Sequence, residues 1–383
     1  MSLCRKLILL LFLFTMFIFT AGCAVKPLTY NAALPLIRGS LFEYPSFDGQ
    51  VTGVAVSAGG RVFVSFPRWG KESRYGVAEL KPDGSLTPYP DAFWNRPAKS
   101  GEKDADTHFL SVQGIFIDSR DVLWVLDAPS PYDQGALPGK AKLVGVDLGG
   151  DRINRVIPLD EAVAPVASFL RNVCVDRWEG TAYISDAGSG AIIVIDLDSG
   201  HGRRVLADHF STKAEPGVVL KVAGKELRDE AGKPLRLHVD GIALDADNGF
   251  LYYHALTGRT LYRIKTRYLN DPMFSGKEMG EHVERLAQTG AADGIAMDEG
   301  DNLYLTAPEE NAVMRYRVFD RSLETLVRND AIVWPGGICI APDEFLYFTD
   351  SQFNLMPQFN SGRDMRNAPF KLFKVPRILM PGA

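Results

Sequence analysis

VDGIALDADNGFLYYHAL, Val239–Leu256, joins an apolar run, a turn of Asp, Asn and Gly, and a second run with an aromatic centre. Short apolar runs bounded by turn residues read as a β-hairpin and not as a helix. Five near-copies accompany it: TGVAVSAGGRVFVSF from Thr52, QGIFIDSRDVLWVLDA from Gln113, RNVCVDRWEGTAYISDA from Arg171, DGIAMDEGDNLYLTAP from Asp293 and GGICIAPDEFLYFTDS from Gly336. Aligned at Gly53, Gly114, Asn172, Gly241, Gly294 and Gly337, the copies recur every 43–69 residues. That spacing leaves room for two more strands per unit, visible as AIIVIDL (Ala191–Leu197) then RRVLA (Arg203–Ala207), and as AVMRYRVF (Ala312–Phe319) then LETLVR (Leu323–Arg328). Six units of four strands predict an all-β, six-bladed β-propeller over residues 39–383.

The first strand of each unit is apolar on both faces. Its third position holds Ala55, Phe116, Cys174, Ala243, Ala296 or Cys339 between Val, Ile, Leu and Met neighbours, as a strand sandwiched between two other sheets requires. The last unit has its hairpin at Gly337–Asp350 but only one further strand, FKLFKV at Phe370–Val375. The N-terminal GSLFEY, Gly39–Tyr44, is expected to supply the missing outer strand, which would leave no open sheet edge.

Ahead of this domain stands MSLCRKLILLLFLFTMFIFTAGC, with Arg5 and Lys6 before an apolar run that is short for a membrane span. TAGC has the form of a bacterial lipobox, so residues 1–22 read as a lipoprotein signal peptide, Cys23 as the lipidated residue and 23–38 as a tether. Ala24 after Cys23 points to the outer membrane, with the domain exported and held in the cell envelope. Cys4 leaves with the leader. Cys174 and Cys339 occupy equivalent positions on opposite sides of a six-membered ring and read as small buried hydrophobes, not as a disulfide.

A net charge of −5 with no long basic run excludes a nucleic-acid partner, and the 23% charged, 46% hydrophobic composition suits a large soluble core and a monomer. Pro67–His108, Phe210–His238 and Phe353–Pro369 are the longest departures from the repeat. The second keeps VVLKV and should carry its own hairpin. Connections from an outer strand to the next inner strand share one face, so the first two would rise as walls around one mouth of the channel.

The residue just before each inner strand falls at that mouth. The set is Thr52, Gln113, Arg171 followed by Asn172, Asp240, Asp293 and Gly336. Asn172, Asp240 and Asp293 could give an oxygen site for a divalent cation such as calcium, or could recognise a small polar molecule. Equally, each Asp could accept hydrogen bonds from amides of its own loop, and the sequence leaves both readings open. Asp118, Asp176, Asp245 and Asp298 lie at the other end of the inner strands and read as turn residues.

LWVLDA, LVGVDL, AYISDAGSGAIIVIDL, DGIALD…LYYHALTGRTLYRIKTRYL and DGIAMDEGDNLYL, in that order, resemble the Yellow and major royal jelly protein family over about Leu41–Phe353. The resemblance implies a six-bladed propeller, usually secreted, with members that bind biogenic amines and others linked to dopachrome-type conversion. The paired cysteines common in insect members are missing here. A more distant resemblance is to the gluconolactonase and regucalcin group, whose channel metal is held by Glu, two Asn and Asp. Asn172 and Asp293 match two of these, Asp240 replaces the other Asn and Thr52 replaces the Glu, which puts metal-dependent lactone hydrolysis in doubt.

Other chemistry leaves little trace, since no GxSxG, HExxH, CxxC or phosphate-loop pattern stands in a meaningful context. His108 and His254 fall near the channel mouth, either as structural residues or, for His254, as a candidate general base. Trp69, Trp94 and Trp334, with Phe66, could wall a ring-bearing ligand, whereas Trp124 and Trp178 read as core. The sequence therefore describes an envelope-anchored propeller that binds a small polar or aromatic ligand in its channel. The alternatives are a metal-dependent lactone hydrolase and a protein-interaction platform. Changing Cys23 to Ser should abolish lipid attachment and leave the precursor uncleaved; unchanged membrane partitioning and processed mass, measured by fractionation and mass spectrometry, would contradict the lipobox.

Overall fold

The computed structural model describes residues 40–44, 47–69, 74–96, 107–130 and 136–377; the leader, Cys23 and the tether lie outside the described residues. Six antiparallel sheets of four strands form the blades, and their inner strands are Gly53–Val56, Val112–Ile117, Leu170–Asp176, Val239–Leu244, Ile295–Met297 and Pro335–Ile340. The expected six-bladed propeller is thus observed, with each inner strand opening one repeat of the sequence. The turns between first and second strands are closed by the Asp residues read as turn residues. Asp118 accepts from the amides of Arg120 and Val122, Asp176 from Trp178, Asp245 from Phe250, and Asp298 from Gly300 and Asn302.

Apolar residues on both faces of each sheet pack into six clusters, one at each junction of neighbouring blades. The second strand of blade three shows how: Ala182 and Ile184 pack toward blade two, while Tyr183 between them packs toward blade four. A strand with one polar face could not serve here. Trp124 belongs to this core, with its indole N–H donating to Asp118, but Trp178 does not. It stands 81% exposed in a hairpin turn, because the turn lies beyond the sheet-to-sheet contact that would have covered it.

Blade six is completed by the N-terminus as expected. Phe42 pairs with Lys374 and Glu43 with Phe373, and the amides of Tyr44 and Phe47 donate to Leu372 and Phe370. The ring closes by joining the first described strand to the last. Cys174 and Cys339 are free thiols on inner strands; Cys174 is buried as expected, whereas Cys339 is only half-buried.

The narrowest level of the channel is set by the residues that align the repeats. A Cβ on Gly114, Gly241, Gly294 or Gly337 would stand less than 3.0 Å from the carbonyl oxygen of Arg171, Asp293, Gly336 or Thr52, each in the next blade. Glycine is needed there for space, so that adjoining backbones can approach. The carbonyls gathered at this neck accept from across the blade junction: Gly336 from the Thr306 hydroxyl at 2.9 Å, and Thr52 from the Gly337 amide at 3.1 Å. Gly294→Ala and Gly337→Ala should each lower stability by about 2–3 kcal/mol through overpacking. Gly276→Ala, with open space around it, should change stability by about 0.5 kcal/mol or less. Urea denaturation of the three variants checks the contrast.

Candidate functional site

Just before the neck, the pairing of first and second strands skips in four blades, between Val112 and Gly114, Leu170 and Val173, Val239 and Gly241, and Pro335 and Ile338. A bulge leaves its residue outside the ladder and re-aims the side chain. Gln113, Arg171, Asn172 and Asp240 stand at such positions. Together with Thr52 and Asp293 they form the ring that the repeats predict. Sequence periodicity gives no sign of the bulges, since a skipped residue disturbs the pattern only at the strand's first turn.

Within the ring the two carboxylates are bridged by a guanidinium. Arg171 Nε lies 3.3 Å from Asp240 Oδ2, and its Nη2 lies 3.3 Å from Asp293 Oδ1. Asn172 Nδ2 donates to Asp240 Oδ1 at 2.8 Å, and the Trp334 indole N–H donates to Asp293 Oδ2 at 2.5 Å. All but Asn172 are buried. Neither reading of the Asp pair anticipated this arrangement, in which the cation that relieves the repulsion belongs to the chain. Asn172, Asp240 and Asp293 do come together, but they do not fit a divalent cation as arranged. The guanidinium occupies the position between the carboxylates, and Asn172 turns its amide nitrogen, not its oxygen, toward Asp240. Among the described residues no group of three or more His, Cys, Asp and Glu gathers to hold a metal ion.

Burial pushes the Asp240 carboxyl up to about 7; Arg171 opposes that rise and Asp293 adds to it. For Arg171 burial favours loss of the proton, yet the two carboxylates outweigh it and raise the pKa. The guanidinium stays charged, while Asp240 exchanges its proton near neutrality.

Above the ring, residues from each of the three long excursions pack together over the channel instead of standing as walls. Trp69, the Lys221–Val222 and Lys225–Glu226 hairpin with Leu220 and Leu227, and Phe353, Met356 and Phe359 pack together with Trp334 as one apolar lid. The expected hairpin in the second excursion is therefore present and serves this lid. The rings of Trp69 and Phe169 each lie 5.2 Å from the Arg171 guanidinium. Beneath the lid, Thr52 Oγ1, Gln113 Oε1, Arg171 Nη1 and Trp69 Nε1 are buried without a hydrogen-bond partner among the described residues. Each such group costs about 1–3 kcal/mol, so several in one place mark a position that a polar guest or water completes.

The remaining candidates fall elsewhere. Phe66 packs with Phe47 in the junction of blades six and one, and Trp94 packs on Phe109, so neither walls the neck. His108 is fully buried. His254 lies opposite Gly241, where blades five and six carry Thr306 and Thr349. Its Nδ1 faces the Ala255 carbonyl at 2.7 Å, and burial lowers its pKa to about 4, so the ring is neutral at ordinary pH. The structure also shows a device that the sequence reading missed. Asp127, Asp186 and Asp350, each ending a second strand, accept amides of the loop that leads into their own blade's inner strand, and Asp127 also takes the buried Lys142 ammonium at 2.6 Å. The repeated D after the second strand was its signal.

A carboxyl whose folded pKa lies above its unfolded value favours folding fully below the unfolded pKa and loses that contribution as pH rises through the folded pKa. For Asp240 the window runs from about 4 to about 7. Asp240→Asn lacks this loss, so its stability relative to wild type should improve by a few kcal/mol between pH 4 and pH 7.5. Parallel denaturation curves across that range check it; a pH-independent difference would show that Asp240 does not titrate there.

The model of the major royal jelly protein family matches residues 110–375. No curated protein matches the sequence. Among solved structures, a gluconolactonase from Xanthomonas campestris is 13% identical, with a TM-score of 0.51 over 91% of this chain and 94% of that one. A luciferin-regenerating enzyme is 11% identical, with a TM-score of 0.51 over 90% and 94%. The PQQ-bound aldose sugar dehydrogenase of Streptomyces coelicolor is 14% identical, with a TM-score of 0.50 over 90% and 99%. At such identities the likeness is one of fold, and the activities in those names belong to those proteins. The family match, by contrast, rests on sequence and spans well over half of the chain, which therefore belongs to the major royal jelly protein family.

Proposed function

We propose that this protein is an exported propeller, lipid-anchored at Cys23 in the cell envelope, that binds a small polar or aromatic molecule at the neck of its channel, beneath the lid. The observation that carries the reading is that the neck residues Thr52, Gln113 and Arg171 each keep a buried polar atom without a partner among the described residues, with the rings of Trp69 and Phe169 against the Arg171 guanidinium. A guest there would gain a donor, two acceptors and an aromatic face without displacing any existing bond. The lid is built from excursions outside the blades, so it can open while the blade junctions stay packed. With one guanidinium and two carboxylates, the neck is close to neutral when Asp240 holds its proton and carries one negative charge when it does not. An aromatic amine suits the deprotonated form.

Metal-dependent lactone hydrolysis is the second reading, supported by the meeting of Asn172, Asp240 and Asp293 at the neck and by the likeness to a gluconolactonase. It requires Arg171 to withdraw from between the carboxylates. Thermal-shift titration of the wild type, Asp240→Asn and Asp293→Asn with tyramine, calcium and a simple lactone separates the readings. Tyramine at 100 times its Kd should stabilise the wild type by about 2.7 kcal/mol. Its effect should be greater at pH 8 than at pH 5.5 and weaker in both variants. Stabilisation by calcium with turnover of the lactone would favour the hydrolase, and no response to any of the three would remove the neck as a ligand site.

A further inference from the structure

Directly below the neck, the channel widens into a cavity of about 260 Å³ that opens toward the face opposite the lid. Its walls are short stretches of inner strand from every blade, such as Val54–Val56 and Ile338–Ile340, and the thiols of Cys174 and Cys339 belong to them. An engineered apolar cavity of about 150 Å³ accepts benzene, so this one has room for a single ring with a short arm.

Two polar side chains line it, Asn248 and, at the deep end, Asn172. Asn172 stands where the other five blades carry glycine, and it lines the cavity. Its Nδ2 contacts two acceptors of the next blade, the Asp240 carbonyl at 3.1 Å and Asp240 Oδ1 at 2.8 Å, which settles the orientation of the amide. The Asn172 oxygen is left on the other side of the group, with no donor among the described residues. The cavity therefore combines aliphatic side chains with polar lining, and holds the free Asn172 oxygen at its deep end.

We propose that this lower compartment is a second binding site, for a small neutral molecule with an apolar body and one hydroxyl or N–H donor, entered from the face opposite the lid. The apolar body would be held by the inner strands, and the donor would meet Asn172 Oδ1. In an apolar cavity without an acceptor, a hydroxyl is a handicap, because it is stripped of water and gains nothing. Because this cavity has other polar lining, the role of Asn172 is read from how its replacement changes the order of two probes that differ only in the hydroxyl.

Toluene and benzyl alcohol are such a pair, and the half-buried Cys339 reports occupancy, with the buried Cys174 as the internal reference. The full chain is treated with methyl methanethiosulfonate, a small uncharged reagent, and modification of Cys339 is followed by peptide mass. Each probe, at about four times its Kd, should slow modification of Cys339 about fivefold. Benzyl alcohol should protect at a concentration no higher than toluene does. In Asn172→Ala the benzyl alcohol concentration should rise about tenfold while that of toluene is unchanged. Ala296→Phe, which fills the cavity without altering Asn172, should abolish protection by both. A Cys339 thiol that neither probe protects in folded wild type would mean that the cavity holds only water, and protection that survives Ala296→Phe would place the probes elsewhere; either result overturns the proposal. An unchanged order of probes in Asn172→Ala overturns the role of its oxygen. Should that variant fail to fold, the wild type and Ala296→Phe decide the matter. Cys339 lies below the neck, so a negative result leaves the reading of the upper site standing.

Discussion

Close approach of neighbouring backbones at the neck is the constraint on which the other features depend. Six inner strands converge on one axis, and at four of the six junctions there is no space for a Cβ between one blade and the carbonyl of the next. Meeting that constraint with glycine leaves the carbonyls facing inward, and hydroxyls and amides of the adjoining blade partner those of Gly336 and Thr52. It also divides the channel. Above lie the bulged, polar ends of the inner strands; below lies a cavity walled by their apolar middles.

Asn172 is the exception that links the two levels. It carries a side chain where the others carry glycine, and its amide donates to the Asp240 carbonyl of the next blade at 3.1 Å. Through Asp240 it joins the buried charges. A guanidinium between two carboxylates is costly to desolvate, and removing one partner leaves an uncompensated charge. The arrangement persists because each carboxylate has a further donor, Asn172 for Asp240 and Trp334 for Asp293. Arg171 keeps its Nη1 unassigned, and Gln113 and Thr52 keep acceptors. A network that is rigid on one side and unfinished on the other is the form of a preorganised site.

Much of the architecture was legible in the repeats. Hairpins such as VDGIALDADNGFLYYHAL carry their strand pattern and turn chemistry locally, and the blade count follows from their recurrence. The missing strand of blade six was legible for the same reason, as a deficit in a regular pattern. Trp178 misled because a large aromatic side chain was read as core although Arg177, Glu179 and Gly180 beside it mark a turn, and its exposure follows from where that turn projects from the sheet. Phe66 and Trp94 were misplaced for the same kind of reason.

Ring membership was likewise local: a residue ahead of an inner strand must fall at the neck, and Thr52, Gln113, Arg171, Asn172, Asp240 and Asp293 do. What those residues do to one another was not. Arg171 and Asp293 are 122 positions apart, and whether the guanidinium faces solvent or a carboxylate depends on bulges, on side-chain direction and on a lid drawn from three distant excursions. The sequence by itself determined the six blades, the closure and the level of the site, because those follow from short-range pattern and steric need. Tertiary structure alone decided that the cation is Arg171, that the mouth is covered and that the open cavity lies below the neck, because long-range proximity sets the pairing and burial of charge.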